Sequence, residues 1–222
     1  MVYLIVYNLV QVVLWLAVAT KWVETMQEGG TGDGYPAWLA PLVLSQVLSL
    51  AEIAHVKLQL VRGGVATTSL QCLARLIIVA AWCSPTLLHR PDMTSLSQRL
   101  AATIVVAAWT VTELVRYPYY LSLALPTPPL LAQYLRYLRF TLFIIAYPTG
   151  LVGELIILTA TLYHTQASLP PVLRAVPLPP PLAHFSFSVL HAIFYLLYLY
   201  GFPTLYRHMW RQRAKNLRPK KE

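Results

Sequence analysis

A phenol and a carboxylate stand seven residues apart inside one apolar stretch: Tyr147 and Glu154 in the run AYPTGLVGE, residues 146–154. Both are side chains that can give or take a proton. On a helix, seven residues return the chain to within about 20° of the same direction. An ideal rise puts the two about 10 Å apart along the axis. Two side chains of this length on one face can reach one small reactive group from opposite ends. Pro148 and Gly150 lie between them, and proline kinks helices, so a bend is expected there. The bland alternative for Glu154 is a hydrogen bond to a neighbouring helix. A carboxylate in such a segment is costly without a task, which favours the chemical reading.

Further ionisable residues occupy the neighbouring apolar segments. Glu52, His55 and Lys57 fall in one, Arg75 with Gln71 in the next, and Glu113, Arg116 and Tyr117 in a third; Arg136 and Arg139 precede Tyr147 in a fourth. Glu52 and His55 are i, i+3 on a helical face. So are Glu113 and Arg116, a spacing that predicts a direct ion pair. Glu-x-x-His is half of a di-iron ligand motif. No second copy accompanies it and the 6 histidines form no cluster, so an orienting role is expected and no metal. Arg62, Arg136 and Arg139 read equally as plain positive-inside residues or as a cationic rim for a phosphorylated ligand. No phosphate-binding G-x-x-x-x-G-K-[ST], dinucleotide G-x-G-x-x-G or nucleophile-elbow G-x-S-x-G occurs. Cys83 is followed by His89 at the spacing where a cysteine phosphatase needs arginine, and Arg90 comes one place late.

The elements that must carry these residues follow from composition. The 222 residues are 57% hydrophobic and 11% charged, with a mean hydropathy of +0.57. Ordinary globular chains carry about 25% charged residues, so the pattern predicts an all-α, polytopic membrane protein forming a single domain over residues 1–222. A span needs about 20 mostly apolar residues. Six segments qualify: about 2–22, 38–60, 66–88, 98–121, 131–163 and 184–206, with boundaries good to a few residues. The N-terminal MVYLIVYNLVQVVLWLAVAT has no basic leader region and reads as a retained helix rather than a signal peptide. Cys72 and Cys83, eleven residues apart on one expected helix, are separated by about 16 Å and cannot bridge.

Much of the net charge of +9 lies in the tail YRHMWRQRAKNLRPKKE, which explains it as topology rather than nucleic-acid binding. Residues 207–222 are then a basic cytosolic tail, and six spans put the N-terminus on the same side. In that orientation every intramembrane charge falls in the cytosolic half of the bundle. Such residues face interiors or cavities, so six transmembrane helices around a cytosol-facing cavity are expected.

Three motifs carry a resemblance: AEIAHVKLQLVRGGVATTSLQ (51–71), WTVTELVRYPYY (109–120) and RFTLFIIAYPTGLVGEL (139–155). In the same order, over nearly the whole chain, this sequence resembles the very-long-chain (3R)-3-hydroxyacyl-CoA dehydratases, also called protein-tyrosine-phosphatase-like proteins. The last motif is the most specific, because its Tyr-Pro-x-Gly-x-x-x-Glu holds the family's catalytic pair, which maps onto Tyr147 and Glu154. The sequence departs from the family in having Gln59 in place of a usual glycine, Phe140 in place of a tyrosine, and Gly63–Gly64 in place of an Arg-Ser continuation.

The resemblance implies water elimination from a long-chain 3-hydroxyacyl-CoA in fatty-acid elongation at the endoplasmic reticulum, without cofactor or metal. The implied partners are that substrate, membrane lipid, an elongase condensing enzyme and two reductases, and no nucleic acid. Glu52, His55, Arg62, Arg75, Glu113, Arg116, Tyr117, Arg136 and Arg139 are expected to bind or support the substrate. Elimination needs a base at C2 and an acid at the C3 oxygen. In one assignment Glu154 is the ionised base and Tyr147 the acid. In the reverse, Glu154 is a neutral acid and Tyr147 a base activated by a cation. A buried Glu154 with few cationic neighbours would favour the reverse, and a close Arg or Lys would favour the ionised glutamate. A backbone N–H freed near Pro148 and Gly150 is an expected donor to the thioester carbonyl. The rival reading is an inactive acyl-CoA-binding or scaffold protein of the same fold. A transporter is disfavoured, since the chain lacks two inverted halves.

Overall fold

The computed structural model describes residues 1–28, 36–61, 63–83, 96–168 and 187–217, and every element among them is helical. In chain order these are α1 (Val2–Gln27), α2 (Leu39–Ser49), α3 (Ala51–Lys57), α4 (Val65–Cys83), α5 (Leu96–Ala124), α6 (Pro129–Arg139), α7 (Phe143–Ser168) and α8 (Phe187–Leu217). Among the described residues, four stretches are long and apolar enough to cross a membrane: Val2–Gln27, Leu39–Lys57, Arg99–Ala124 and Phe143–Ala160.

The helices turn their polar residues inward. The buried face of α1 is Asn8, Gln11, Trp15, Val18 and Thr25, spaced by helical turns, while Val13 and Leu16 point outward. Gln11 donates to the Ser45 carbonyl at 3.2 Å, and the Ser45 hydroxyl donates back to Gln11 Oε1 at 2.7 Å. Such pairs tie helices together where lipid offers no hydrophobic drive between them. Helix α5 is the hub. It packs on α1 on one side and on α7 on the other, through a core that includes Trp15, Val18, Ala101, Val105, Val106 and Ile157.

Two expected spans are broken. The segment 38–60 is two helices, with Leu50 between α2 and α3. Its end is a hydrogen-bonded C-terminal motif: Leu60 N–H donates to the His55 carbonyl at 2.9 Å and Gln59 N–H to the Val56 carbonyl at 3.1 Å. This closure requires a left-handed residue, and Gln59 takes it with φ 57°. A glycine would take this conformation without steric cost.

The segment 131–163 is not one span, which corrects the expectation. It divides into α6 and α7 at a turn over residues 140–142. Gln133, Arg136 and Arg139 share one face of α6, the leucines share the other, and α6 buries none of its residues. A helix of this amphipathic kind suits an interface rather than a crossing. The apolar passage begins only at Phe143, so Arg136 and Arg139 lie outside it. At the other end of the chain, α8 continues past the expected limit of 206 to Leu217. The basic segment is therefore helical through most of its length. Residues 84–95, which include the expected end of the third span, lie outside the described residues, as does Arg62.

Candidate active site

Helix α7 runs unbroken from Phe143 through Pro148 to Ser168 and carries both Tyr147 and Glu154. The two glycines of the motif serve its contact with α5. A Cβ on Gly153 would lie 2.7 Å from Val105 Cγ2 and 2.9 Å from the Ala101 carbonyl oxygen. Gly150 faces the Ala108 methyl at a looser 3.5 Å. Small residues at these positions let the two backbones approach closely. That approach sets Glu154 against Trp109 of α5, whose indole N–H donates to Glu154 Oε1 at 2.9 Å. From α8, the Tyr198 hydroxyl donates to the other oxygen, Oε2, at 2.8 Å.

Tyr147 lies in an aromatic stack. Its ring is nearly parallel to those of Phe202 and Tyr206, at centroid distances of 5.2 and 6.2 Å. Phe143 and Trp210 extend the stack edge-on. Proline has no N–H, so Pro148 leaves the Ile144 carbonyl without its helical donor. The Tyr206 hydroxyl reaches that oxygen at 3.4 Å. The expected freed backbone N–H is thus corrected: proline removes a donor, and what it releases is an acceptor.

A second polar cluster joins α3, α4 and α5. Glu113, 2% exposed, pairs with Arg75 of α4 and with Arg116 Nε, the latter at 2.6 Å. Arg116 in turn grips Glu52 of α3 through both terminal nitrogens at 2.9 and 2.8 Å. Glu52 Oε1 also accepts from the Tyr117 hydroxyl at 2.7 Å and from Tyr7 of α1 at 3.2 Å. His55 pairs through Nε2 with the Tyr3 hydroxyl at 2.8 Å. Two carboxylates thus answer two guanidinium groups, as burial of charge demands. The clusters touch through Arg75, whose guanidinium sits 5.2 Å from the centroid of the Trp109 ring.

The structure therefore brings Glu52, His55, Arg75, Glu113, Arg116 and Tyr117 into one cluster beside Glu154, with the Glu113–Arg116 pair formed as the spacing suggests. Arg136 and Arg139 stand apart on α6, where Arg136 donates to the Asn216 carbonyl at the end of α8 and Arg139 lies over the Phe140 ring. The residues that sequence reasoning missed are Trp109, Tyr198, Phe202 and Tyr206. For the last three the signal was present on α8, where Tyr198, Phe202, Tyr206 and Trp210 repeat every four residues, a single helical stripe. Among the described residues, no group of three or more His, Cys, Asp or Glu could hold a metal ion.

Among the described residues these features define an all-helical membrane protein, with four stretches fit to cross a membrane and its charges gathered between helices. The family model for the protein tyrosine phosphatase-like proteins matches residues 46–219, and the chain belongs to that family. Among its relatives is the very-long-chain (3R)-3-hydroxyacyl-CoA dehydratase hpo-8 of Caenorhabditis elegans, 33% identical over 97% of this chain and 94% of the relative. The very-long-chain (3R)-3-hydroxyacyl-CoA dehydratase 2 of Homo sapiens is 32% identical over 97% of this chain and 80% of its own length. The dehydratase PASTICCINO 2 of Arabidopsis thaliana is 31% identical over 97% and 93%. No solved structure matches the chain.

Proposed function

We propose that this protein is a hydro-lyase of fatty-acid elongation, removing water from very-long-chain (3R)-3-hydroxyacyl-CoA to give the trans-2-enoyl-CoA. The observation that carries the reading is similarity over the whole length. Relatives aligned with 97% of the chain are named as dehydratases of this substrate, and the Tyr147–Glu154 segment lies within the family match.

In this reading Tyr147 and Glu154 do the chemistry. The Arg75 guanidinium lies over the ring of Trp109, whose N–H bonds Glu154, and this cation one ring away supports the ionised carboxylate and hence the first of the two assignments. Glu154 takes a proton from C2, the C2–C3 double bond forms, and the C3–O bond breaks. The departing oxygen takes the Tyr147 proton and leaves as water, and the proton held by Glu154 then restores Tyr147. Proton balance closes without a cofactor. The stack around Tyr147 holds its ring, and the α3–α4–α5 ion cluster fixes α5, on which the helix presenting both groups packs. Arg62, Arg136 and Arg139 serve the phosphates of the CoA head, to which guanidinium groups bind as forks.

The same reading places the protein in the endoplasmic reticulum membrane as one domain of six spans around a cavity open to the cytosol, with both termini cytosolic. The elongase condensing enzyme and the two reductases are its partners. The test is turnover of 3-hydroxypalmitoyl-CoA by detergent-solubilised protein. Parent protein should release the enoyl-CoA, and Glu154→Gln and Tyr147→Phe should each abolish release while accumulating normally. Full activity in either variant refutes the assignment of the pair. Tight acyl-CoA binding without turnover by the parent would instead support a scaffold.

A further inference from the structure

The two hydrogen bonds on Glu154 come from different helices, and neither donor belongs to the ion cluster. Trp109 reaches Oε1 from α5 and Tyr198 reaches Oε2 from α8. An indole N–H can only donate, so Oε1 accepts from Trp109. The Tyr198 hydroxyl meets Oε2, so each carboxyl oxygen is held by its own partner. Two donors fixed from opposite sides also lock the side-chain rotamer, so the carboxylate points one way. Tyr198 stands one helical turn before Phe202, which stacks on Tyr147. Helix α8 therefore meets both members of the pair at once.

We propose that Trp109 and Tyr198 are positioning residues for dehydration: they clamp Glu154 as an oriented carboxylate base, and Tyr198 sets its register against Tyr147. The inference rests on the dehydratase reading above. It adds two residues to that site and ties α8 to it. The clamp touches no substrate atom, so its loss should slow C2–H cleavage without weakening substrate binding. Each clamp bond is a hydrogen bond to a charged group, and losing one should lower kcat roughly tenfold to a hundredfold.

The experiment uses the full chain in detergent with 3-hydroxypalmitoyl-CoA, either unlabelled or carrying deuterium at C2. Trp109→Phe and Tyr198→Phe are compared with the parent for kcat, KM, the deuterium isotope effect on kcat and thermal midpoint. The expected result is a kcat loss of at least tenfold in each variant, KM within about threefold of the parent, and an isotope effect at least as large as the parent's. Tyr198→Phe keeps the ring and removes only the hydroxyl, so its midpoint should stay close to the parent's. Trp109 also packs in the core. If Trp109→Phe fails to accumulate, Tyr198→Phe alone carries the test. A kcat within threefold of the parent in Tyr198→Phe overturns the proposal. So does a loss confined to KM, or a loss that tracks a fallen midpoint with a diminished isotope effect. A parent protein that releases no enoyl-CoA would overturn the functional reading itself, a result distinct from failure of the clamp.

Discussion

Gly153→Ala is the most informative change outside the reacting groups. It adds one methyl group on the face of α7 that meets α5. That methyl would sit 2.7 Å from Val105 Cγ2 and 2.9 Å from the Ala101 carbonyl oxygen, where ordinary contact begins at 3.4 Å. The valine can turn to relieve the first contact, but a helix carbonyl cannot relieve the second. Helix α7 must therefore withdraw from α5 by about half an ångström. Overpacking of this kind costs about 1–3 kcal/mol, offset by up to about 1 kcal/mol because alanine favours a helix over glycine. Glu154 is the next residue, and its bond to Trp109 is 2.9 Å. The same withdrawal stretches that bond to the edge of hydrogen-bonding distance. Gly153→Ala should thus cost about tenfold or more in kcat with a small fall in thermal midpoint. Gly150→Ala is the matched control. Its methyl would lie 3.5 Å from Ala108 Cβ, an ordinary contact, so it should retain activity and gain stability. Val105→Ala combined with Gly153→Ala should restore only part of the loss, because the Ala101 oxygen remains. Turnover of 3-hydroxypalmitoyl-CoA and melting in detergent read all three. Equal kcat for Gly153→Ala and the parent would refute the reasoning, and so would equal damage from Gly150→Ala.

Two further outcomes follow from the polar framework. Glu113→Gln removes the carboxylate that faces both Arg75 and Arg116 and leaves two half-buried cations to one Glu52. A broken buried pair costs about 3–5 kcal/mol, so this variant should accumulate poorly in membranes; normal accumulation and an unchanged midpoint would count against the cluster as a structural lock. Gln59→Gly relieves a left-handed φ of 57°, a strain of about 1 kcal/mol for a residue with a side chain, and should raise the midpoint without changing turnover. A lowered midpoint would show that the Gln59 side chain makes a compensating contact.

Sequence alone determined the helical, membrane-crossing class. Apolar runs of span length need no tertiary context to be recognised, and an i, i+3 pair such as Glu113 and Arg116 meets within its own helix. It also marked Tyr147 and Glu154, because a carboxylate in an apolar segment stands out and its motif matches a family. It misread the break ahead of Phe143, because the leucines of α6 read as apolar when counted, although their face is amphipathic. It also read Pro148 and Gly150 together, as the place of a bend, and passed over Gly153. Only the packing separates them: the glycines admit α5, and the proline frees a carbonyl for Tyr206. Which partners hold Glu154 was decided entirely by tertiary structure. Trp109 and Tyr198 lie about 45 residues from it on either side, and no local spacing rule relates residues that meet only because three helices pack together.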